Sequence, residues 1–235
     1  MWLAARLATY FPVLFVTGVW AWSYYAYIVV LVGTLIDNVF VAAVYGLTFH
    51  MLSFLFLAPY YRAVFEPLPL IQSKFVLSHH EFRRLTHGEP CPDLKDRNLP
   101  IKMHDGSGRL RLCTKCKIIK PDRCRHCSIC GACVLKFDHH CPWVANCVGF
   151  HNYKFFFQFL AYATFFLIFV AATSARYFIL YVNGSISSDH GIHMAAMCFI
   201  AVVFLFSVGS LFAMHIHLLR RNETTVMTRV RSVLL

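Results

Sequence analysis

The sequence predicts an all-α membrane protein in which four transmembrane helices carry a small cytosolic, cysteine-rich domain of short β-hairpins between the second and third. Three observations predict it: long runs without a charged residue, positive charge confined to particular segments, and eight of the ten cysteines crowded into residues 113–147. Of 235 residues, 58% are hydrophobic, 23 are phenylalanine and only 14% are charged. A soluble domain of this size could not bury that much apolar surface.

Residues 7–36, 38–61, 155–175 and 190–219 contain no Asp, Glu, Lys or Arg. Each run meets the requirement of about 20 residues for a helix crossing the hydrocarbon core. The first lacks a small-residue cleavage pattern and is followed at once by another apolar run, so it reads as an anchor rather than a removable signal. Of the 22 Lys and Arg, sixteen lie between Arg62 and Lys154, four follow Leu219, one is Arg6 and the remaining one is Arg176 near the end of the third span, whereas the connectors around Asp37 and at 183–189 carry none. The positive-inside rule then places both termini and the long central segment in the cytosol. The expected plan is two spans in 1–61, a cytosolic linker at 62–110, a cysteine-rich domain at 111–154, two spans in 155–219 and a short cytosolic tail at 220–235. A net charge of +11 is what a cytosolic face beside anionic lipid carries. No nucleic-acid partner is expected, because the cations form no separate basic helix and the domain is tethered to four spans.

The cytosol is reducing, so this density of cysteine favours metal binding or thiol chemistry over disulfides. Cys113 and Cys116 form a Cys-x2-Cys pair, Cys127, Cys130 and Cys133 form overlapping ones, and His126, His139, His140 and Cys147 lie close by. Tetrahedral zinc held by thiolate and imidazole uses such two-residue knuckles, and eight ligands would close two structural sites. Metal would order a loop that is otherwise polar and rich in Gly and Pro. Spacing alone does not divide the candidate ligands between two ions, but it leaves one thiol surplus. His139 and Cys141 are two positions apart, so in an extended segment they face one side and His140 faces the other. One histidine can then activate a thiol while its neighbour binds metal. Asp138 can orient His139 only if the chain turns there. The expected arrangement is nucleophile, base and orienting carboxylate.

Residues 113–152 read CTKCKIIKPDRCRHCSICGACVLKFDHHCPWVANCVGFHN. With its Lys120-Pro121-x-Arg123 element, its His126-Cys127 pair, Pro142-Trp143, Asn146-Cys147 and Gly149, this stretch resembles the cysteine-rich domain of the DHHC-type protein S-acyltransferases, or palmitoyltransferases. The four-span layout and Trp22-Ser23-Tyr24-Tyr25-Ala26-Tyr27 are similar to that family too. The resemblance implies one zinc on Cys113, Cys116, His126 and Cys133 and another on Cys127, Cys130, His140 and Cys147. It leaves Cys141 as the acylated nucleophile, His139 as its base and Asp138 as the residue that holds His139.

The implied reaction takes a palmitoyl or other long-chain acyl group from acyl-CoA onto Cys141, then onto a cytosolic cysteine of a membrane-associated protein. The acyl tail would stay in an apolar environment among the spans, with Tyr24, Tyr25, Tyr27, Phe165, Phe166 and Ser23 as candidate lining. Trp143, two residues after Cys141, would meet the first part of the chain. Lys120 and Arg123, with Lys115, Lys117 and Arg125, are the candidate cations for the CoA phosphates. The side chain of Asn146 is a candidate oxyanion donor. His50, His193, His215 and His217 read as interfacial or hydrogen-bonded residues rather than an intramembrane relay, and Cys91, Cys124 and Cys198 as plain thiols. Residues 222–227 resemble the family's Thr-Thr-x-Glu element, with Thr225 expected near Asp138 but Met227 where the family has Glu. The sequence ends at Leu235, and Glu66-Pro67-Leu68 stands where an Asp-Pro-Gly is expected. These departures leave a noncatalytic, zinc-stabilised membrane adaptor as the alternative. Family resemblance favours the Golgi or plasma membrane over the endoplasmic reticulum.

Overall fold

A computed structural model describes residues 8–228. Arg6, and the part of the expected tail from residue 229 on, lie outside the described residues. In chain order the helices are α1 (Phe11–Tyr24), α2 (Val39–Phe65), α3 (His79–Thr86), α4 (Tyr153–Val182) and α5 (Ser188–Arg220). Six short strands precede α4: β1 (Leu112–Cys113), β2 (Ile118–Ile119), β3 (Arg125–Cys127), β4 (Ala132–Val134), β5 (His139–Cys141) and β6 (Asn146–Val148). Two compact units emerge. One contains residues 8–65, Pro142–Ala145 and Lys154–Asn222, and the other contains Glu66–Cys141, Asn146–Tyr153 and residues 223–228.

Four helices of the chain are long and apolar enough to cross a membrane: Phe11–Leu35, Val39–Phe65, Tyr153–Val182 and Ser188–Arg220. This is a multi-pass membrane protein. The first of them changes character, α1 running without a break into a π-helical stretch at Tyr25–Leu35. That stretch supplies Ala26, Tyr27, Val30 and Leu31 to the centre of the unit. Tyr27 stacks on Phe49 at 4.5 Å, Phe49 meets Phe166 at 5.2 Å, and Phe56 meets Phe166 at 5.0 Å. The Tyr27 hydroxyl donates to Thr173 Oγ1 at 2.9 Å, so its buried polar end is satisfied. Where α5 begins, Gly191 lies so close to Tyr181 of α4 that a Cβ would fall 1.9 Å from its ring. The one-turn 3₁₀ helix Pro142–Val144 packs against α1 and α2 within this same unit.

The second unit is three two-stranded antiparallel hairpins, β1–β2, β3–β4 and β5–β6. Strands of two or three residues have no stability of their own, so something else must hold them. Part of it is apolar cover: Leu68 packs against Cys127, Val134 and Cys147, while Ile71 packs against Cys113, Ile118 and Cys133. Val76 bridges to Ile118 and Leu77 N–H donates to Lys117 O at 3.0 Å, extending the first hairpin. The chain then enters α3 through a capping box, Ser78 accepting from Glu81 N–H while the Glu81 carboxylate accepts from Ser78 N–H. Arg97 fastens this corner, donating to Val76 O at 2.8 Å and pairing with the Glu81 carboxylate. Gly149 is required by a close approach: a Cβ there would lie 2.8 Å from Val134 Cγ1 and 2.9 Å from Leu135 O.

Candidate metal centres and active site

The turns of the first two hairpins each bring a pair of thiols together. In the β1–β2 turn Cys116 N–H points at Cys113 Sγ at 3.4 Å, and in the β3–β4 turn Cys130 N–H points at Cys127 Sγ at 3.5 Å. Lys117 and Gly131, at φ 51° and 66°, close these two turns in the left-handed conformation. Cys113, Cys116, His126 and Cys133 form one group whose ligand atoms all lie within 4.8 Å of one another, and Cys127, Cys130, His140 and Cys147 form a second. His126 Nδ1 lies 3.3 Å from Cys116 Sγ and 3.8 Å from Cys133 Sγ. His140 Nδ1 lies 3.8, 3.5 and 3.6 Å from the sulfurs of Cys127, Cys130 and Cys147.

A tetrahedral zinc with bonds of about 2.3 Å to sulfur and about 2.0 Å to nitrogen has S···N edges of about 3.5 Å. The observed separations match, so both clusters fit a zinc ion. The imidazoles suit the role as well. Burial, then the charges of Lys115 and Lys120, hold His126 below its ordinary pKa, and burial, then His139, does so for His140, favouring the neutral ring that ligates metal. Strand order explains the interleaving: His126 is directly opposite Cys133, and His140 directly opposite Cys147.

The alternation of β5 separates two chemistries. His140 belongs to the second cluster, whereas Cys141, among the described residues, belongs to neither. Cys141 is buried and pairs with Asn146 across the hairpin. His139 Nδ1 donates to Asp138 Oδ2 at 2.7 Å, and the His139 ring is hydrogen-bonded to Cys141. Burial pulls the His139 pKa down, but the bonds and charges of Asp138 and Cys141 outweigh it and raise the value to about 9. Asp138 has no exposed surface. Its carboxylate accepts from Thr225 N–H at 3.0 Å, and the Thr225 hydroxyl lies 2.7 Å from Asp138 O and 3.1 Å from its Oδ2. Met227 leaves these contacts in place.

Asn146 Nδ2 donates to Glu66 O at 2.9 Å and its Oδ1 accepts from Cys147 N–H at 2.8 Å, so this amide spans two backbone segments. Tyr27 and Phe166 are in the aromatic core, whereas Tyr25 and Phe165 are exposed on the helical unit. Trp143 is half exposed in the 3₁₀ turn, its carbonyl accepting from the Tyr60 hydroxyl at 2.9 Å. The Lys120 charge acts on His126, which puts it beside the first cluster, and Arg123 sits in a left-handed turn at φ 59°. The four span histidines gather into no metal-ligating group among the described residues. His50 bonds Tyr24 and Gly46 O, and buried His215 meets the Phe156 ring at 5.3 Å. Cys124 is fully buried, and burial pushes its thiol up to about 11, which makes it inert.

The profile of the DHHC palmitoyltransferase family matches residues 106–231. Palmitoyltransferase ZDHHC15 of Xenopus laevis is 40% identical over 94% of this chain and 68% of its own length. Palmitoyltransferase ZDHHC2 of Rattus norvegicus and that of Homo sapiens are each 41% identical over 94% of this chain and 62% of their own length. The chain thus spans 62% to 68% of the length of these relatives.

Proposed function

The chain belongs to the DHHC palmitoyltransferase family, and from that premise we propose that it moves a long-chain acyl group from acyl-CoA, through a thioester on Cys141, to cytosol-facing cysteines of membrane-associated proteins. The observation that carries this reading is the chain of hydrogen bonds from Thr225 through the buried Asp138 and then His139 to Cys141, with His140 between them in a metal-ligating cluster. Asp138 is the orienting carboxylate and Thr225 holds it. With its pKa raised to about 9, His139 is the base that takes the proton of Cys141 as the sulfur attacks.

The thiolate Sγ attacks the thioester carbonyl carbon of acyl-CoA. The bond from that carbon to the CoA sulfur breaks, and the departing thiolate takes the proton held on His139. In the second transfer His139 receives the proton of the incoming substrate cysteine, whose sulfur attacks the Cys141 thioester and regenerates the thiolate. Positioned acid–base help of this kind contributes about 10²- to 10⁴-fold.

Two Cys3His sets, Cys113, Cys116, His126, Cys133 and Cys127, Cys130, His140, Cys147, would hold structural zinc and fasten the hairpins that carry the tetrad. Trp143 serves the first carbons of the acyl chain, and Lys120 and Arg123 the CoA phosphates. Burying a 16-carbon tail gains on the order of 12 kcal/mol, at about 0.8 kcal/mol per methylene, which is why this chemistry belongs on a membrane-spanning scaffold. The zinc domain, assigned to 111–154, and both termini face the cytosol, in the Golgi or plasma membrane. The intact Thr225–Asp138 contacts favour the enzyme over a noncatalytic adaptor.

The test is labelling with alkyne-tagged palmitoyl-CoA in detergent. A hydroxylamine-sensitive label on the native chain that disappears in Cys141→Ser is expected. Zinc-loaded native protein that takes no label would establish the adaptor instead.

A further inference from the structure

The turn that follows Cys141 is fastened by a hydrogen bond whose donor has no part in the chemistry above. Tyr60, on α2, is fully buried, and its hydroxyl donates to the carbonyl of Trp143 at 2.9 Å. Its ring is held between Tyr61, at 5.3 Å, and Phe159 of α4, at 5.0 Å, so the hydroxyl is aimed by packing. Tyr60 also follows Pro59, which interrupts the backbone bonding of α2.

The turn itself is short of internal support. Ala145 N–H donates to Pro142 O at 3.1 Å, and Ala145 is held at φ 48°, a conformation that a non-glycine residue keeps only when its surroundings over-determine it. Its neighbours in the turn supply those surroundings: Val144 is fully buried, and the Trp143 ring meets Phe15 of α1 at 6.3 Å. At the same level α1 and α2 are joined by Thr17 and Tyr61, whose hydroxyls are 2.9 Å apart.

We propose that Tyr60 is a positioning residue for acyl transfer: its hydroxyl fixes the Trp143 peptide, and with it the indole against which the first carbons of the acyl chain lie. The inference rests on the assignment of Cys141 as the acylated residue, since Trp143 stands two residues after it in the chain. In this scheme Tyr60 acts through the turn. Releasing the turn spreads the indole over positions of which few are productive, and a misplacement of about 1 Å costs up to about 10²-fold.

Single-turnover acylation of the detergent-solubilised full chain by palmitoyl-CoA separates rate constant from amplitude. For Tyr60→Phe, which keeps the ring and removes the hydroxyl, the expected rate constant at saturating acyl-CoA is roughly ten-fold below native. Amplitude and zinc content stay native. An unchanged rate constant overturns the proposal, with or without a loss of amplitude, because lost amplitude at the native rate marks only misfolded protein. A native chain that is not acylated, or a Cys141→Ser chain acylated like the native one, overturns the assignment of Cys141 instead.

Discussion

Asp138 carries a charge into a place with no exposed surface, and a buried carboxylate is tolerated only when its oxygens are bonded. The His139 ring and the Thr225 backbone and hydroxyl supply those bonds. Thr225→Val keeps the backbone donor and removes the hydroxyl. Single-turnover acylation by this variant is expected to be about 10-fold slower, the effect of losing roughly 1.4 kcal/mol from a bond to a charged group, with zinc content unchanged. His139, His140 and Cys141 are readable as a constellation because adjacent residues of one short strand divide by parity, whereas the part of Asp138 needs the chain to turn just before that strand. The commitment of Asn146 is not readable, because its partner Glu66 is 80 residues away and nothing local marks the pairing.

Among the elements, the hairpins depend most on what they hold. Each is a strand pair of two or three residues, and the turns of the first two are thiol knuckles, so zinc ligation would make local folding and metal binding one event. Chelation is expected to abolish the hairpin unit while the four long helices persist. Circular dichroism in detergent would then keep its helical signal while amide protection in 111–152 is lost. Gly149→Ala tests the same unit without removing a ligand. A Cβ 2.8 Å from Val134 Cγ1 and 2.9 Å from Leu135 O forces backbone to move, costing about 1–3 kcal/mol, read as faster zinc loss to a chelator. Cys-x2-Cys spacing marks these hairpins in the sequence because the knuckle needs that interval. The π-helical stretch at Tyr25–Leu35 has no such mark, since its apolar residues satisfy α and π turns alike.

At the scale of the whole molecule, four charge-free runs become four membrane-length helices because an apolar segment in lipid must bond its backbone internally. That much is legible from composition. Less so is the membership of Pro142–Ala145 in the helical unit, although the residues on both sides of it in the chain belong to the other. Its support comes from Tyr60 and Phe15, which are remote in sequence and look like any other aromatics of a span.

The central claim is that one residue of the tetrad binds metal while its neighbour carries the acyl group. Native mass spectrometry of the detergent-solubilised protein after exposure to palmitoyl-CoA counts metal and acyl together. Two zinc ions and one acyl group are expected on the native chain, from two four-ligand clusters and one surplus thiol, and two zinc ions with no acyl group on Cys141→Ser. A Cys141→Ser chain with a single zinc, or one acylated as fully as the native chain, would contradict it.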